Sequence, residues 1–299
     1  MNTVTLVATD LDGTFLNSKK EVSKLNREAI SALKHKGILF GIASGRPVET
    51  VHAMLEDWKI EDSVSFIMGM NGGVIYDIRR RTKEEFHLLD GKIILDIINF
   101  YKDMDVIFHV LVGDIRYTSK STEETRAHAK LFGETEIEVD MESFLKDRTV
   151  NKLIIYCDPA YMPKVVERSK LFKRDDYVGF NTDNNLFEYC DPAINKGYGI
   201  KKLCKHFGVN LENCVAFGDE ANDIQMLDYV GMGVCMKNGC QGAKDVANYV
   251  SEYTNDEDAL GHFLFIGLFQ YDCVQWDNRC THKKLFLFYF FSLRCHVRI

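Results

Sequence analysis

Three short apolar runs near the N-terminus each end on a polar side chain and are separated by stretches with helical spacing, and this alternation restricts the fold more than any other feature. Residues 4–9 form a β-branched run that ends at Asp10, residues 38–43 one that ends at Ser44, and residues 65–70 one that ends at Asn71. Leu25, Ala29, Ile30 and Leu33 fall on one face of a helix over 23–36, which Gly37 stops, and Val48, Val51, Met54 and Leu55 line one side of the next. Strands alternating with helices build a parallel sheet through right-handed crossovers, and such sheets keep their ligand sites at the carboxyl ends of the strands. The expected fold class is α/β with a Rossmann-like parallel sheet core. Asp10, Ser44 and Asn71 stand where its ligand site belongs.

The pattern changes between residues 85 and 189, where a helix at 91–104, extended segments at 106–112 and 151–158 and a helix at 163–172 read as an inserted α+β unit. Alternation resumes with a helix at 196–207, a strand at 215–218, a helix at 224–229 and a strand at 234–236. The simplest organisation is a core of residues 1–84 and 190–260 interrupted by a cap at 85–189. Residues 261–299 are rich in Phe and Cys without helical or strand period, and read as an atypical aromatic tail, non-native or poorly ordered.

A formal net charge of -7 and a pI of about 5.8 provide no positive field to collect nucleic acid or an anionic membrane surface. No run approaches the roughly 18 apolar residues that span a bilayer, and no signal-peptide pattern precedes the first carboxylates, so a cytoplasmic location is expected. The 9 cysteines are scattered singly and odd in number, which favours reduced thiols over a disulfide framework. Cys273, Cys280, His282, Cys295 and His296 match no familiar zinc-finger spacing.

The chemistry concentrates in four places. Asp10 and Asp12, two apart in an extended or turning segment, address one site, and two carboxylates so close call for a hard, oxygen-seeking cation such as Mg²⁺. A second acidic cluster follows the strand at 215–218: Asp219 at the strand end, then Asn222 and Asp223 as the chain turns into a helix. It lacks the glycine and closing glutamate of an EF-hand, and a plain capping role is the alternative for Asp223. Ser44 combines a hydroxyl with the free N–H groups of a helix start, which is both an N-cap and an anion site. Lys196 opens a helix, where a cation opposes the helix dipole unless an anion is bound, although a lone lysine is ordinarily solvent-exposed. Gly197-Tyr198-Gly199 lacks the third glycine of a dinucleotide loop.

DLDGT from Asp10, SGR from Ser44, Lys196 before a helix and GDEAND from Gly218 together resemble the haloacid dehalogenase superfamily of phosphatases over about residues 3–260. The large insertion and the NGG at 71–73 look like its Cof-type branch of sugar and metabolite phosphatases, which carry a C2 cap. The resemblance implies that Asp10 is a nucleophile forming an aspartyl-phosphate. Asp12 would protonate the leaving oxygen and later activate water, while its backbone carbonyl binds the metal. Ser44, Gly45 and Lys196 would hold the phosphoryl group, with Asn222 nearby. Asp10, Asp12, Asp219 and Asp223 would form the Mg²⁺ site, and the partner would be a small phosphorylated metabolite, not nucleic acid or membrane. A sugar phosphomutase of the same fold, and a catalytically silent binding module, are the alternatives. Substrate-reading residues in 85–189 leave no signature; Arg116, Asn181 and Asn184 are merely polar there, and oligomeric state stays open.

Overall fold

The computed structural model describes residues 3–266. In chain order its elements begin with β1 (Leu6–Thr9), α1 (Lys24–His35), β2 (Leu39–Ala43), α2 (Val48–Met54), β3 (Phe66–Gly69), β4 (Val74–Asp77), β5 (Thr82–Glu85), β6 (Leu89–Asp90), α3 (Gly91–Phe100), β7 (Ile107–Val112), β8 (Ile115–Thr118), α4 (Glu123–Leu131) and β9 (Thr135–Glu138). They continue with α5 (Met141–Leu145), β10 (Thr149–Val150), β11 (Lys152–Tyr156), α6 (Met162–Ser169), β12 (Val178–Asp183), β13 (Leu186–Cys190), α7 (Lys196–Phe207), β14 (Cys214–Gly218), α8 (Ile224–Tyr229), β15 (Met232–Cys235), α9 (Gln241–Val246), β16 (Tyr249–Val250) and α10 (Ala259–Leu264). The described residues form two compact units: 3–43, Leu55–Phe66 and 200–266 in one, Ser44–Met54 and Ile67–Gly199 in the other.

In the first unit β1 pairs in parallel with β2 on one side and β14 on the other, β14 with β15, and β15 with β16. Leu6, Val7, Phe40, Ile42, Val215 and Phe217 are fully buried, because a parallel sheet covered on both faces needs continuous apolar strands. Helix α1 starts where the Ser23 hydroxyl accepts from the Asn26 amide, buries Ala29, Ile30 and Leu33, and ends before Gly37, whose φ of +72° costs glycine nothing. Buried Asn26 ties α1 to α10: its side-chain oxygen accepts from the Gly261 amide at 2.9 Å and its nitrogen donates to the Phe15 carbonyl at 3.3 Å. The tail expected from residue 261 thus begins inside α10, where Phe263 and Leu264 are buried. Its remainder, with Cys273, Cys280, His282, Cys295 and His296, lies outside the described residues. The described cysteines are free thiols; even Cys204 and Cys214, with sulfurs 3.4 Å apart, are well beyond disulfide length. No helix among the described residues is long and apolar enough to cross a membrane.

The second unit contains the whole of 85–189 and is built on a six-stranded sheet of order β12-β13-β11-β7-β8-β9, antiparallel except between β8 and β9. Period-two alternation sends Phe108, Val110, Leu153 and Ile155 into one core with Ile94, Ile97 and Tyr101 of the α3 region. The intervening residues His109, Leu111, Lys152 and Ile154 take the opposite face. Sequence periodicity placed β7, β11, α3 and α6, but ran α3 on to residue 104; the amides of Tyr101 and Lys102 instead bond three residues back, to Ile98 and Asn99, and tighten the end. Strands β8, β9, β12 and β13 were not visible beforehand, since their charged residues break the apolar pattern.

Candidate active site

The parallel register sets Thr9 beside Phe217, and the Asp10 amide extends that ladder by donating to the Phe217 carbonyl at 3.0 Å. Adjacent strand ends therefore deliver Asp10 and Asp219 together, both buried. Asp223 arrives from the 3-10 turn Ala221–Asp223, and one oxygen from each of the three carboxylates lies within 4.8 Å of the others. Three buried carboxylates at this spacing repel one another unless a cation joins them, and the all-oxygen donor set fits a hard ion such as Mg²⁺.

The cluster is braced by its own loops. Thr14 donates from Oγ1 to Asp219 Oδ1 at 2.6 Å, and the amides of Asp219 and Glu220 both donate to Asp223 Oδ2 at 3.0 Å. Capping is thus part of what Asp223 does, but in a buried position. Gly13 has φ +84°, and a Cβ there would lie 2.3 Å from Asp219 Oδ2, so any side chain would be strained and would push the Asp219 carboxylate out of place. Asn238, which the sequence did not single out, donates to the Gly13 carbonyl at 2.8 Å and accepts from the Asn255 amide at 3.1 Å. The Asp12 carboxylate is outside the acidic cluster and pairs with Lys20 Nζ at 2.7 Å, both side chains being partly in solvent. Asn222 is exposed on its turn.

In the second unit, Ser44 is buried; its amide donates to the Met68 carbonyl at 2.8 Å, its carbonyl accepts from the Asn71 amide at 3.0 Å, and its hydroxyl accepts from the Arg46 amide at 3.2 Å. Gly72, next to Asn71, lies so close to the Asn195 carbonyl that a Cβ would come within 2.4 Å. Asn195 caps α7 by accepting from the Tyr198 amide at 2.8 Å, and Lys196 follows, fully buried. The turns at 44–46 and 195–196 thus adjoin through Asn71 and Gly72. Lys196 is not the solvated lysine that composition alone would suggest. A buried ammonium at a helix start suits an anion held nearby.

Two buried ion pairs in the second unit escaped the sequence reading. Lys152 Nζ is 2.8 Å from Glu188 Oε1 and 3.3 Å from the Gly45 carbonyl, while Arg116 bonds Glu134 at 2.6 Å and meets His128 Nδ1 at 2.9 Å. Burial pushes the Glu134 carboxyl up, and Arg116 pulls against that shift. A lone lysine and a lone glutamate in otherwise apolar strands, KLIIY and LFEYC, were the available signal.

A model for haloacid dehalogenase-like hydrolases matches residues 7–264. The chain is 28% identical over 268 residues to the 5-amino-6-(5-phospho-D-ribitylamino)uracil phosphatase YitU of Bacillus subtilis, covering 87% of this chain and 96% of that one. It is 27% identical over 284 residues to the phosphatase YwpJ of the same organism, covering 87% and 98%. The crystal structure of a haloacid dehalogenase-like hydrolase from Bacteroides thetaiotaomicron superposes with a TM-score of 0.79 at 25% identity, covering 88% of this chain and 98% of that one. With strand-end carboxylates, a buried serine turn and a buried helix-start lysine all in motif order, the chain belongs to the haloacid dehalogenase-like hydrolases, in their Cof-type phosphatase branch.

Proposed function

We propose that this protein is an Mg²⁺-dependent phosphatase that hydrolyses small phosphomonoesters, such as sugar phosphates, through an aspartyl-phosphate on Asp10. The observation that carries the reading is the buried triad Asp10, Asp219 and Asp223 at neighbouring strand ends. Their oxygens, with the Asp12 main-chain carbonyl, would hold Mg²⁺, which supplies charge neutralisation for the transferring phosphoryl oxygens. An Asp10 carboxylate oxygen attacks phosphorus as the bond to the leaving oxygen breaks, and Asp12 donates its proton to that oxygen. Asp12 then takes a proton from a water that attacks the phosphorus of the acyl phosphate, releasing inorganic phosphate and restoring Asp10. Ser44 Oγ, the Gly45 backbone N–H and the Lys196 ammonium hold the phosphoryl oxygens in line, with Asn222 beside them. Residues 85–189 act as the cap that reads the leaving group.

The substrate for which YitU is named, a phosphorylated ribityl compound, supports a polyol or sugar phosphate as the substrate class. The test is Mg²⁺-dependent phosphate release from a panel of sugar and polyol phosphates, with Asp10→Asn in parallel. The wild type is expected to release phosphate only with Mg²⁺ present, and the variant to lose turnover by about a thousandfold or more, the scale on which removing a covalent nucleophile acts. Retained hydrolysis in Asp10→Asn would rule out the covalent route.

A further inference from the structure

Lys152 is a buried cation to which the proposed chemistry assigns no part. Its residue is 7% exposed and its partner Glu188 6%. Strands β11 and β13 are antiparallel neighbours with Lys152 opposite Cys190 and Ile154 opposite Glu188, so lysine and glutamate meet diagonally on one face of the sheet. A buried pair of this kind contributes little to stability compared with apolar residues of similar volume, so folding alone does not account for it. What the pair does reach is the turn after Ser44. The Ser44 carbonyl is taken by the Asn71 amide and the Arg46 carbonyl by the Met70 amide at 3.1 Å, while the Gly45 carbonyl between them accepts from Lys152 Nζ at 3.3 Å.

We infer that Lys152 is a positioning residue for phosphate binding: held by Glu188, it fixes the Gly45–Arg46 peptide, whose N–H donates to Ser44 Oγ, and so aims the Ser44 hydroxyl at the phosphoryl group. Glycine at 45 makes that peptide easy to rotate, and the 2.8 Å bond to Glu188 keeps the long lysine side chain from following it. The inference rests on the reading of Ser44 as a phosphate ligand.

The test uses Lys152→Met combined with Glu188→Met, which removes both charges and strands neither, and, separately, Glu188→Gln, which keeps the ammonium but loosens its hold. Three quantities are read: inhibition by inorganic phosphate, kcat and KM on p-nitrophenyl phosphate, and kcat and KM on the best sugar phosphate. A misaimed turn is expected to weaken inorganic phosphate binding and lower kcat/KM on both substrates alike, by about tenfold to a hundredfold, since small displacements of a positioning group cost on that scale. Unchanged phosphate inhibition and kcat in either folded variant overturns the inference. So does a KM increase confined to the sugar phosphate, which would make Lys152 a reader of the leaving group. Should the double variant fail to fold, Glu188→Gln decides by the same criteria. If the wild type releases no phosphate with Mg²⁺ from any substrate in the same assays, it is the phosphatase reading that fails, and if Asp10→Asn keeps full hydrolysis, only the covalent Asp10 route does.

Discussion

At the scale of single residues, the acidic cluster depends on close contacts. Gly13→Ala would set a Cβ against Asp219 in a left-handed conformation, so both the fold of the loop and the ion site should suffer. The expected outcome is a Mg²⁺ requirement raised by at least an order of magnitude together with a stability loss of about 1–3 kcal/mol, read from Mg²⁺ titrations of activity and from denaturant unfolding. Thr14→Val keeps the volume and removes only the 2.6 Å bond to Asp219 Oδ1. Loss of such a supporting bond weakens metal binding by about 10–100-fold, so its Mg²⁺ titration should shift while kcat at saturating Mg²⁺ changes far less. Asp10, Asp219, Ser44 and Lys196 were legible in the sequence because each follows a strand or opens a helix, and position along the chain already implies position in an α/β sheet. Asn238 and Lys152 were not, because each acts on a group that is close only after folding, as Asn238 does on the Gly13 carbonyl, 225 residues away.

Among elements, two buried polar side chains set the expected behaviour. Asn26→Ala would leave the Gly261 amide and the Phe15 carbonyl without their partner, at about 1–3 kcal/mol for each unsatisfied group, and should lower the urea midpoint without changing activity in the folded protein. In the second unit, β7 buries His109 with neither ring nitrogen bonded among the described residues. Burial, then the Arg116 guanidinium and the His128 ring, hold it well below the usual histidine range. The fold keeps His109 neutral, whereas the unfolded chain takes up a proton below about pH 6.5. Unfolding therefore binds a proton, and stability contributed at neutral pH is lost as pH falls from about 6.5 toward the folded value. His109→Leu should flatten the pH dependence of unfolding free energy in that window by up to about 1.4 kcal/mol per pH unit, measured by urea titrations between pH 7 and 5. The strand that carries His109 was legible from its apolar alternation; the histidine's burial was not, because covering the other face takes neighbours from β8, β11 and α4. The polar sequence of α4, EETRAHAKL, reads as a solvated segment until its Thr125 and Ala129 are seen to be buried.

For the molecule as a whole, a site of three buried carboxylates trades stability for function when no cation is present. Asp219→Asn removes one of the repelling charges, so in chelator the variant should melt above the wild type, by about 2–4 °C for each kcal/mol relieved. Added Mg²⁺ should raise the melting temperature of the wild type by mass action and leave the variant unmoved, a crossing that paired thermal scans with and without the ion would show. The alternation of the first strands was enough to foresee a parallel sheet, and the late GDEAND cluster follows a strand of its own, but that this strand, β14, pairs with β1 and so unites the acids is set by the fold. That pairing also has a consequence for biosynthesis. Asp10 leaves the ribosome early and waits for Asp219 and Asp223, and at roughly 5–20 residues per second the interval is on the order of 10–40 s. For all of that time the nascent chain carries β1 without β14 beside it, so the acidic cluster can meet a metal ion only after residue 223 has been made.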